Sequence, residues 1–154
     1  MITGEFDDSE LNDFFGAVEA RFTQHIHAAT RVALALLLTA VRKGTPVTFG
    51  NLRRSIQADV RGRVTNIEGR IASPLNYAPA VEFGTRPHFP PIAPLKLWAR
   101  RKLGDEGAAY AVQKAIGKRG TKGHFMFQKA WEKGKDKAIR RITDAVDEFF
   151  RGCQ

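Results

Sequence analysis

Apolar residues recur at spacings of three and four along the first third of the chain, which is the pattern of one helix face. We therefore predict a helix from Ser9 to about Lys43, with Ser9 as its N-cap and Gly16 as a candidate break. Gly44 and Pro46 end it, because glycine caps helices and proline cannot continue them. The apolar series is Phe15, Val18, Phe22, Ile26, Ala29, Ala33, Leu37 and Val41.

One stretch of this helix is apolar on every side. It lies between Ala33 and Leu38 and includes Leu34, Leu36 and Leu37. Such a helix must be covered all round, by its own domain or by a neighbouring molecule. Four leucines in five positions cannot all face one core, so we expect at least one, with Leu36 as the candidate, to be buried only in an assembly.

The rest of the chain predicts a small sheet and further helices. Alternating apolar residues from Ile56 to Ile71, on either side of Arg61–Arg63, indicate two short strands around a turn. The predicted fold is α+β, a small antiparallel sheet packed against long N-terminal and C-terminal helices. Predicted helical segments are 50–56, 77–83, 95–103, 108–116 and 125–151, with a proline-rich loop at 84–94 and a flexible, basic, glycine-rich loop at 117–124.

Length and composition favour one soluble domain over residues 1–154, with a flexible acidic N-terminus at 1–8. A single cysteine, Cys153, cannot form an internal disulfide, which favours folding in a reducing cytoplasm. The N-terminus lacks the basic and apolar regions of a secretory signal. The longest apolar run, Val32–Val41, is too short to span a bilayer, so we expect no membrane partner.

Charge is distributed unevenly along the sequence. The net charge is +9, yet residues 1–20 hold six acids and no lysine or arginine. Residues 86–141 hold fifteen bases against four acids. Three interpretations stay open: a solvated surface, head-to-tail contact between identical subunits through opposite patches, and contact with nucleic acid.

A search for catalytic and ligand-binding motifs yields little. His25 and His27 are two residues apart and so point in different directions on a helix, while His88 and His124 lie in separate loops. Glu82 stands without an acidic partner, and we expect a structural role for it, either pairing with an arginine or capping the loop backbone. The loop at 117–124 lacks the phosphate-loop signature. We predict no catalytic, cofactor-binding or metal site.

Aromatic residues interleaved with basic ones would indicate a single-strand binder. Trp98, Tyr110 and Trp131 all fall on apolar helix faces, so we expect them to pack in the core. The basic loops can then contact phosphates only as point charges, without a code for reading bases.

Three segments resemble the neck or tail-completion proteins of siphophages, a family of phage tail components that includes minor tail protein Z. The first, Phe49-Gly50-Asn51-Leu52-Arg53-Arg54-Ser55-Ile56, is similar to that family's Thr-Gly-x-Leu-Arg-x-Ser-Ile pattern, with Phe49 in place of Thr. The second, Tyr77-Ala78-Pro79-Ala80-Val81-Glu82-Phe83-Gly84-Thr85, resembles its tyrosine-to-phenylalanine-glycine-threonine signature. The third, Phe125-Met126-Phe127-Gln128-Lys129-Ala130-Trp131, is similar to its aromatic start of the last helix, except that His124 and Met126 replace the usual proline and phenylalanine.

The resemblance implies a virion structural protein that is folded in the host cytoplasm, is not an enzyme and forms a ring at the portal–tail interface, where it joins other neck and tail proteins. The signature residues carried over are Gly50, Leu52, Arg53, Ser55, Tyr77, Glu82, Phe83, Gly84, Thr85, Phe127 and Trp131. Candidate intersubunit contacts are Leu36, Arg86, His88, Phe89 and Ile92. Non-specific contact between the ring and the DNA passing through its lumen stays open. The alternative function is a basic nucleic-acid-binding protein without sequence specificity. A small nuclease is a remote third, because no acid–histidine site can be assembled.

Overall fold

The computed structural model describes residues 8–48 and 50–152. The predictions that fall on residues 1–7, on Phe49 and on Cys153 therefore lie outside the described residues. The helices are α1 (Ser9–Gly44), α2 (Asn51–Ser55), α3 (Ala78–Phe83), α4 (Ile92–Leu103), α5 (Ala108–Arg119) and α6 (Met126–Arg151). The strands are β1 (Gln57–Arg63), β2 (Asn66–Ala72), β3 (Gly84–Thr85) and β4 (Thr121–Lys122).

This is the α+β fold that the sequence predicts, with long terminal helices and a small antiparallel β1–β2 sheet. The residues form two compact units. The first contains residues 8–36, 58–70 and 136–152, and the second contains residues 37–48, 50–57 and 71–135. None of the helices in the described ranges is long and apolar enough to cross a membrane.

In the first unit the β1–β2 hairpin packs against α1 and α6. Ile26 and Ala29 of α1 and Ala145 of α6 are buried together, and Ile67 of β2 packs against them. Small residues at these points let the elements approach closely; a Cβ on Gly69 would lie 3.1 Å from the Leu34 side chain. The packing extends outward through aromatic contacts of Phe22 with Phe149 and Phe150.

In the second unit a core forms around Ile56 and Met126, which are almost wholly buried. Around them lie the remaining buried members Val41, Leu52, Ala78 and Ala130, with Leu38, Ile71, Leu75, Val81 and Phe127 partly buried. Helices α4 and α5 pack against each other. Each of these two helices buries one alanine completely, Ala99 in α4 and Ala109 in α5.

Two predicted boundaries in the first unit are wrong. Helix α1 runs through Gly16 without a break, because one glycine costs a helix only ~1 kcal/mol. The hairpin turn lies at Val64 and Thr65, after β1 has continued through Arg61–Arg63. Gly62 has φ +97° inside that strand, and a Cβ there would overlap the backbone oxygen of Asn66. Gly62 is therefore needed because the two strand backbones pass close together, and it does not form the turn.

Two boundaries in the second unit also differ from prediction. Helix α4 begins at Ile92 and not after Pro94, since the first turn of a helix tolerates a residue without an N–H group. The segment 117–124 is not a free loop. Helix α5 extends to Arg119, and Thr121–Lys122 form β4, which pairs with β3.

Candidate functional site

Glu82 is buried beside the start of α6 and caps that helix. Its residue is 5% exposed, and its carboxylate oxygens accept hydrogen bonds from the backbone amides of Phe127 and Gln128, each at 3.1 Å. Amides in a first helical turn have no partner within the helix. The negative charge also lies at the positive end of the helix dipole. The sequence analysis considered an arginine pair or a cap of the loop backbone, but the carboxylate instead caps the first turn of α6 and so connects α3 with α6.

Gly84 and Thr85 follow Glu82 directly and pair with Lys122 and Thr121 in an antiparallel ribbon. Gly84 has φ 81° and ψ −174°, a conformation that is essentially restricted to glycine. A Cβ at this position would also overlap the backbone oxygen of Thr121. The Thr85 hydroxyl lies 3.0 Å from the Thr121 hydroxyl and accepts a hydrogen bond from the Thr121 amide at 3.2 Å. The Gly-Thr pair of the signature therefore serves a close contact between two backbones.

Two glycines that the sequence analysis assigned to a flexible loop complete this contact. Gly120 has φ +71°, and a Cβ on it would overlap the Thr85 backbone oxygen. A Cβ on Gly123 would overlap the backbone oxygen of Glu82. The amide of Phe125 also donates to that oxygen at 3.0 Å. The sequence signal for this contact was the glycine spacing in 117–124. The sequence analysis interpreted that spacing as flexibility, whereas the glycines are needed because two backbones pass close together.

The first signature segment contributes the buried side chains of Leu52 and Ile56 to the core of the second unit. Gly50 has φ +76° and precedes α2, whose Leu52 is buried in the core. The Ser55 hydroxyl lies 2.8 Å from the Leu52 carbonyl oxygen and 2.8 Å from the Ser73 hydroxyl, and so connects α2 to the segment after β2. Arg53 donates to the Thr45 carbonyl oxygen at 3.4 Å. These residues have structural roles in the subunit.

Three of the aromatic signature residues are exposed and do not pack in the core. Phe127 packs against the core, whereas Tyr77, Phe83 and Trp131 are exposed. The prediction that Trp98, Tyr110 and Trp131 pack in the core is therefore wrong for Trp131 and for Tyr110 of α5, and Trp98 is half-buried. Helical periodicity places an aromatic on a face, but it does not tell whether that face meets the same chain.

The proline-rich segment lies along α5 and is held there by polar and aromatic contacts. The amide of His88 donates to the Ile116 carbonyl oxygen at 3.4 Å, and Gln113 donates to the Pro90 carbonyl oxygen at 2.8 Å. Phe89 rests on Gly117, where a Cβ would lie 2.6 Å from its ring. Its residue nevertheless remains 73% exposed. Arg86 is also exposed, and Ile92 is half-buried at the start of α4.

Leu36 of α1, the other candidate contact, is 45% exposed, and Val32 one turn earlier is exposed as well. Leu34 and Leu37 are buried, and Leu38 is half-buried. The over-apolar part of α1 is thus covered on some sides and open on the side of Val32 and Leu36. The five candidate contact residues lie in both units, Leu36 in the first and the other four in the second.

The histidines have separate local roles. The His25 ring lies 3.0 Å from the Ala145 carbonyl oxygen on α6, and the His27 ring lies 3.0 Å from the Gly62 carbonyl oxygen on β1, so the two rings point apart as expected. His88 contacts the Arg86 carbonyl oxygen at 3.0 Å. Within residues 8–48 and 50–152, no three side chains of the types that bind metals are grouped closely enough to hold an ion.

The comparisons with known proteins agree with the resemblance that the first two signature segments indicate. Residues 9–84 match the family model described as "Bacteriophage HK97-gp10, putative tail-component". This part of the chain is similar to the HK97-gp10-like family. The match includes the first signature segment and the second as far as Gly84, within the β3–β4 contact, but not Thr85. No curated protein and no solved structure matches the chain.

This similarity indicates a structural protein of a tailed phage, in the coarse sense. The signature residues then divide into two groups. One group, which includes Glu82, Gly84 and Leu52, maintains the fold of the second unit. The other group consists of the exposed aromatics Tyr77, Phe83 and Trp131, which are available for contacts with another molecule.

Proposed function

We propose that this protein is a non-enzymatic virion subunit that forms a homo-oligomeric ring at the head–tail junction, in the neck or in tail completion. Its partners are further copies of itself and other neck and tail proteins. DNA passing through the lumen is a non-specific contact. Similarity to a tail-component family supports the virion location.

Exposed apolar residues on ordered elements are the observation that carries the proposal. Val32 and Leu36 of α1, Phe83 of α3 and Trp131 of α6 are all exposed on regular secondary structure. Val32 and Leu36 are one turn apart and share an exposed face of α1, and apolar residues grouped on a surface mark interaction sites. In a tail component, such residues serve contacts between subunits, and aromatic residues supply much of the free energy of such interfaces.

Ring closure requires a heterologous interface, in which two different patches of the same chain meet. The uneven charge of the sequence provides two unlike surfaces, since acids prevail near the N-terminus and bases between residues 86 and 141. Opposite patches attract, whereas two copies of one charged patch repel each other. This asymmetry favours a head-to-tail arrangement over a symmetric dimer.

Native mass spectrometry and light scattering of the purified full chain test the proposal. We expect an oligomer with one defined subunit number, and ring-shaped particles by negative-stain electron microscopy. A chain that remains monomeric over the whole accessible concentration range, alone and with purified tails, contradicts a ring-forming role.

A second candidate function, non-specific binding of nucleic acid, is favoured by one specific observation. Lys133, Lys137 and Arg140 of α6 are exposed at spacings of four and three, and therefore share one helix face. A row of bases can bind the phosphate backbone without reading bases. The same row would also serve a subunit that surrounds DNA in a lumen.

The salt dependence of DNA affinity separates the two functions. A dedicated DNA-binding protein shows a steep linear fall of log K with log salt concentration, and a Lys133→Glu/Lys137→Glu variant would lose affinity for all sequences alike. We expect only weak binding by the isolated subunit. Tight, salt-sensitive binding by a monomer would favour the second function.

A further inference from the structure

The start of α1 is a helical segment that is exposed to solvent within residues 8–48 and 50–152. Residues 8–17, here called the N-terminal arm, are all exposed, and Val18 is the first half-buried position. Contacts of α1 with α6 begin at Phe22, whose ring lies 4.9 Å from that of Phe149. The helical part of the arm, residues 9–17, is about 14 Å long at 1.5 Å per residue.

The arm has an apolar face with nothing described against it. Leu11, Phe14 and Phe15 recur at spacings of three and four and are all exposed, Phe14 at 62%. The two phenylalanine rings contact each other edge to face at 5.8 Å. Short helices in water are marginally stable, and most of their stability in proteins comes from packing of such a face. The face of the arm therefore has the character of an interface.

Charge indicates what this face binds. The arm contains the acids Asp8, Glu10 and Asp13 and no base. On a helix with 100° per residue, Glu10 flanks the apolar face on one side and Asp8 lies near its other side. Two arms would repel each other. The complementary surface is therefore an exposed apolar or aromatic group between bases.

Helices α4 and α5 provide such a surface. Tyr110 of α5 is 57% exposed, and the ammonium group of Lys96 on α4 lies 5.3 Å from its ring centroid. Lys114 and Lys118 are exposed and follow Tyr110 at spacings of four along the same helix face. Leu103 adds an exposed apolar side chain near the end of α4. We call these residues the α4–α5 patch.

We propose that the N-terminal arm of one copy docks on the α4–α5 patch of the next copy. This inference rests on the proposed ring and names the two surfaces that build it. Leu11, Phe14 and Phe15 contact Tyr110 and Leu103, while Asp8 and Glu10 beside that face meet the bases Lys96, Lys114 and Lys118. Because the arm and the patch are different surfaces, each subunit donates one arm and accepts another, as a heterologous ring requires.

A charge exchange between two variants tests this contact with the full chain. In the first variant, Asp8→Lys/Glu10→Lys, both arm and patch are basic. In the second, Lys114→Glu/Lys118→Glu, both the arm and the substituted patch are acidic. Each variant alone should repel itself, and we expect its apparent dissociation constant to rise at least about tenfold. When the two are mixed, each arm meets a patch of opposite charge, so light scattering should show alternating mixed oligomers.

Matched controls carry the same charge changes elsewhere. Asp144→Lys/Asp147→Lys on exposed positions of α6 repeats the first change, and Lys133→Glu/Lys137→Glu repeats the second. We expect both controls to assemble like the wild type, and circular dichroism to show helix in all four variants. Arm variants that assemble as the wild type does, or a mixture that recovers nothing, would overturn the inference while the ring itself stands.

Two further outcomes have distinct meanings. A wild-type chain that stays monomeric overturns both the ring and the docking contact. If Lys114→Glu/Lys118→Glu leaves the oligomer intact but abolishes retention of DNA, the α4–α5 patch is a nucleic-acid surface, and the docking inference is wrong.

Discussion

The carboxylate of Glu82 lies 3.1 Å from the backbone amide of Phe127, a residue 45 positions later in the chain. This contact joins the signature segment at α3 to the start of the last helix. It explains why an acid stands among aromatic and proline residues without any acidic partner for catalysis. A carboxylate that already accepts two backbone hydrogen bonds is a structural cap.

Replacing Glu82 by glutamine should destabilise the second unit without removing any enzymatic activity. The amide keeps one acceptor oxygen but loses the charge and the second acceptor, so one part-buried backbone N–H group loses its partner. We expect the free energy of unfolding to fall by about 1–3 kcal/mol in urea denaturation. Glu132→Gln is the control, since that exposed acid lies on α6 and should cost less than about 0.5 kcal/mol.

Activity measurements on the same variants check the non-enzymatic role. Phosphodiesterase and peptidoglycan-hydrolase assays should show no turnover by the wild type. Turnover that Glu82→Gln abolishes, with the variant still folded, would make Glu82 a catalytic acid and contradict the structural role.

Gly84→Ala should destabilise the protein more than Gly104→Ala. Both glycines have positive φ, 81° and 74°. Gly104 is in the left-handed region, which costs an L residue about 1 kcal/mol, whereas Gly84 at ψ −174° has a conformation essentially restricted to glycine, which costs about 1–3 kcal/mol. A Cβ at Gly104 meets open space, whereas at Gly84 it overlaps the Thr121 backbone oxygen and must separate β3 from β4. Thermal melting of the two variants measures the difference. Equal melting temperatures would mean that the β3–β4 pairing yields at little cost.

The glycines illustrate what the sequence could and could not predict. Long helices, the small sheet and the end of α1 at Gly44 follow from periodicity and from glycine and proline, because these are local preferences. The roles of Gly62, Gly120 and Gly123 depend on which distant backbone passes nearby, which a local pattern does not contain. All three were therefore assigned to turns or loops.

The exposed aromatics show the same limit for the candidate site. Tyr110 and Trp131 lie on apolar helix faces, and periodicity alone assigned them to the core. Whether such a face meets its own chain or another one is a tertiary property. Leu36 is a different case. Its stretch of α1 is apolar on every side, and one core cannot cover all of it. The sequence alone therefore indicates that an apolar residue there stays outside the core of the subunit.

Leu36→Glu should leave the subunit folded but weaken its assembly. Position 36 is 45% exposed, so a carboxylate there stays in water in the monomer, and we expect a stability change within about 0.5 kcal/mol. In an assembled interface the same charge would be buried without a partner, which is costly. Leu37→Glu is the matched control one residue later: Leu37 is buried, and this change should unfold the monomer. If Leu36→Glu assembles like the wild type by light scattering, position 36 is an ordinary exposed site.

Phe89→Ala should likewise separate assembly from folding. The Phe89 ring contacts Gly117, but the residue as a whole is 73% exposed. Loss of the ring therefore removes little buried area from the subunit. The proline-rich segment keeps its hydrogen bonds from His88 to Ile116 and from Gln113 to Pro90, and so it should hold its course along α5. We expect a melting temperature close to that of the wild type and an impaired ring, because preordered aromatic anchors dominate interface free energies. Phe127→Ala, which truncates a ring packed on the core, should instead lower the melting temperature. Should Phe89→Ala unfold the subunit, the residue belongs to the core; if fold and assembly both persist, the segment is a passive connection between β3 and α4.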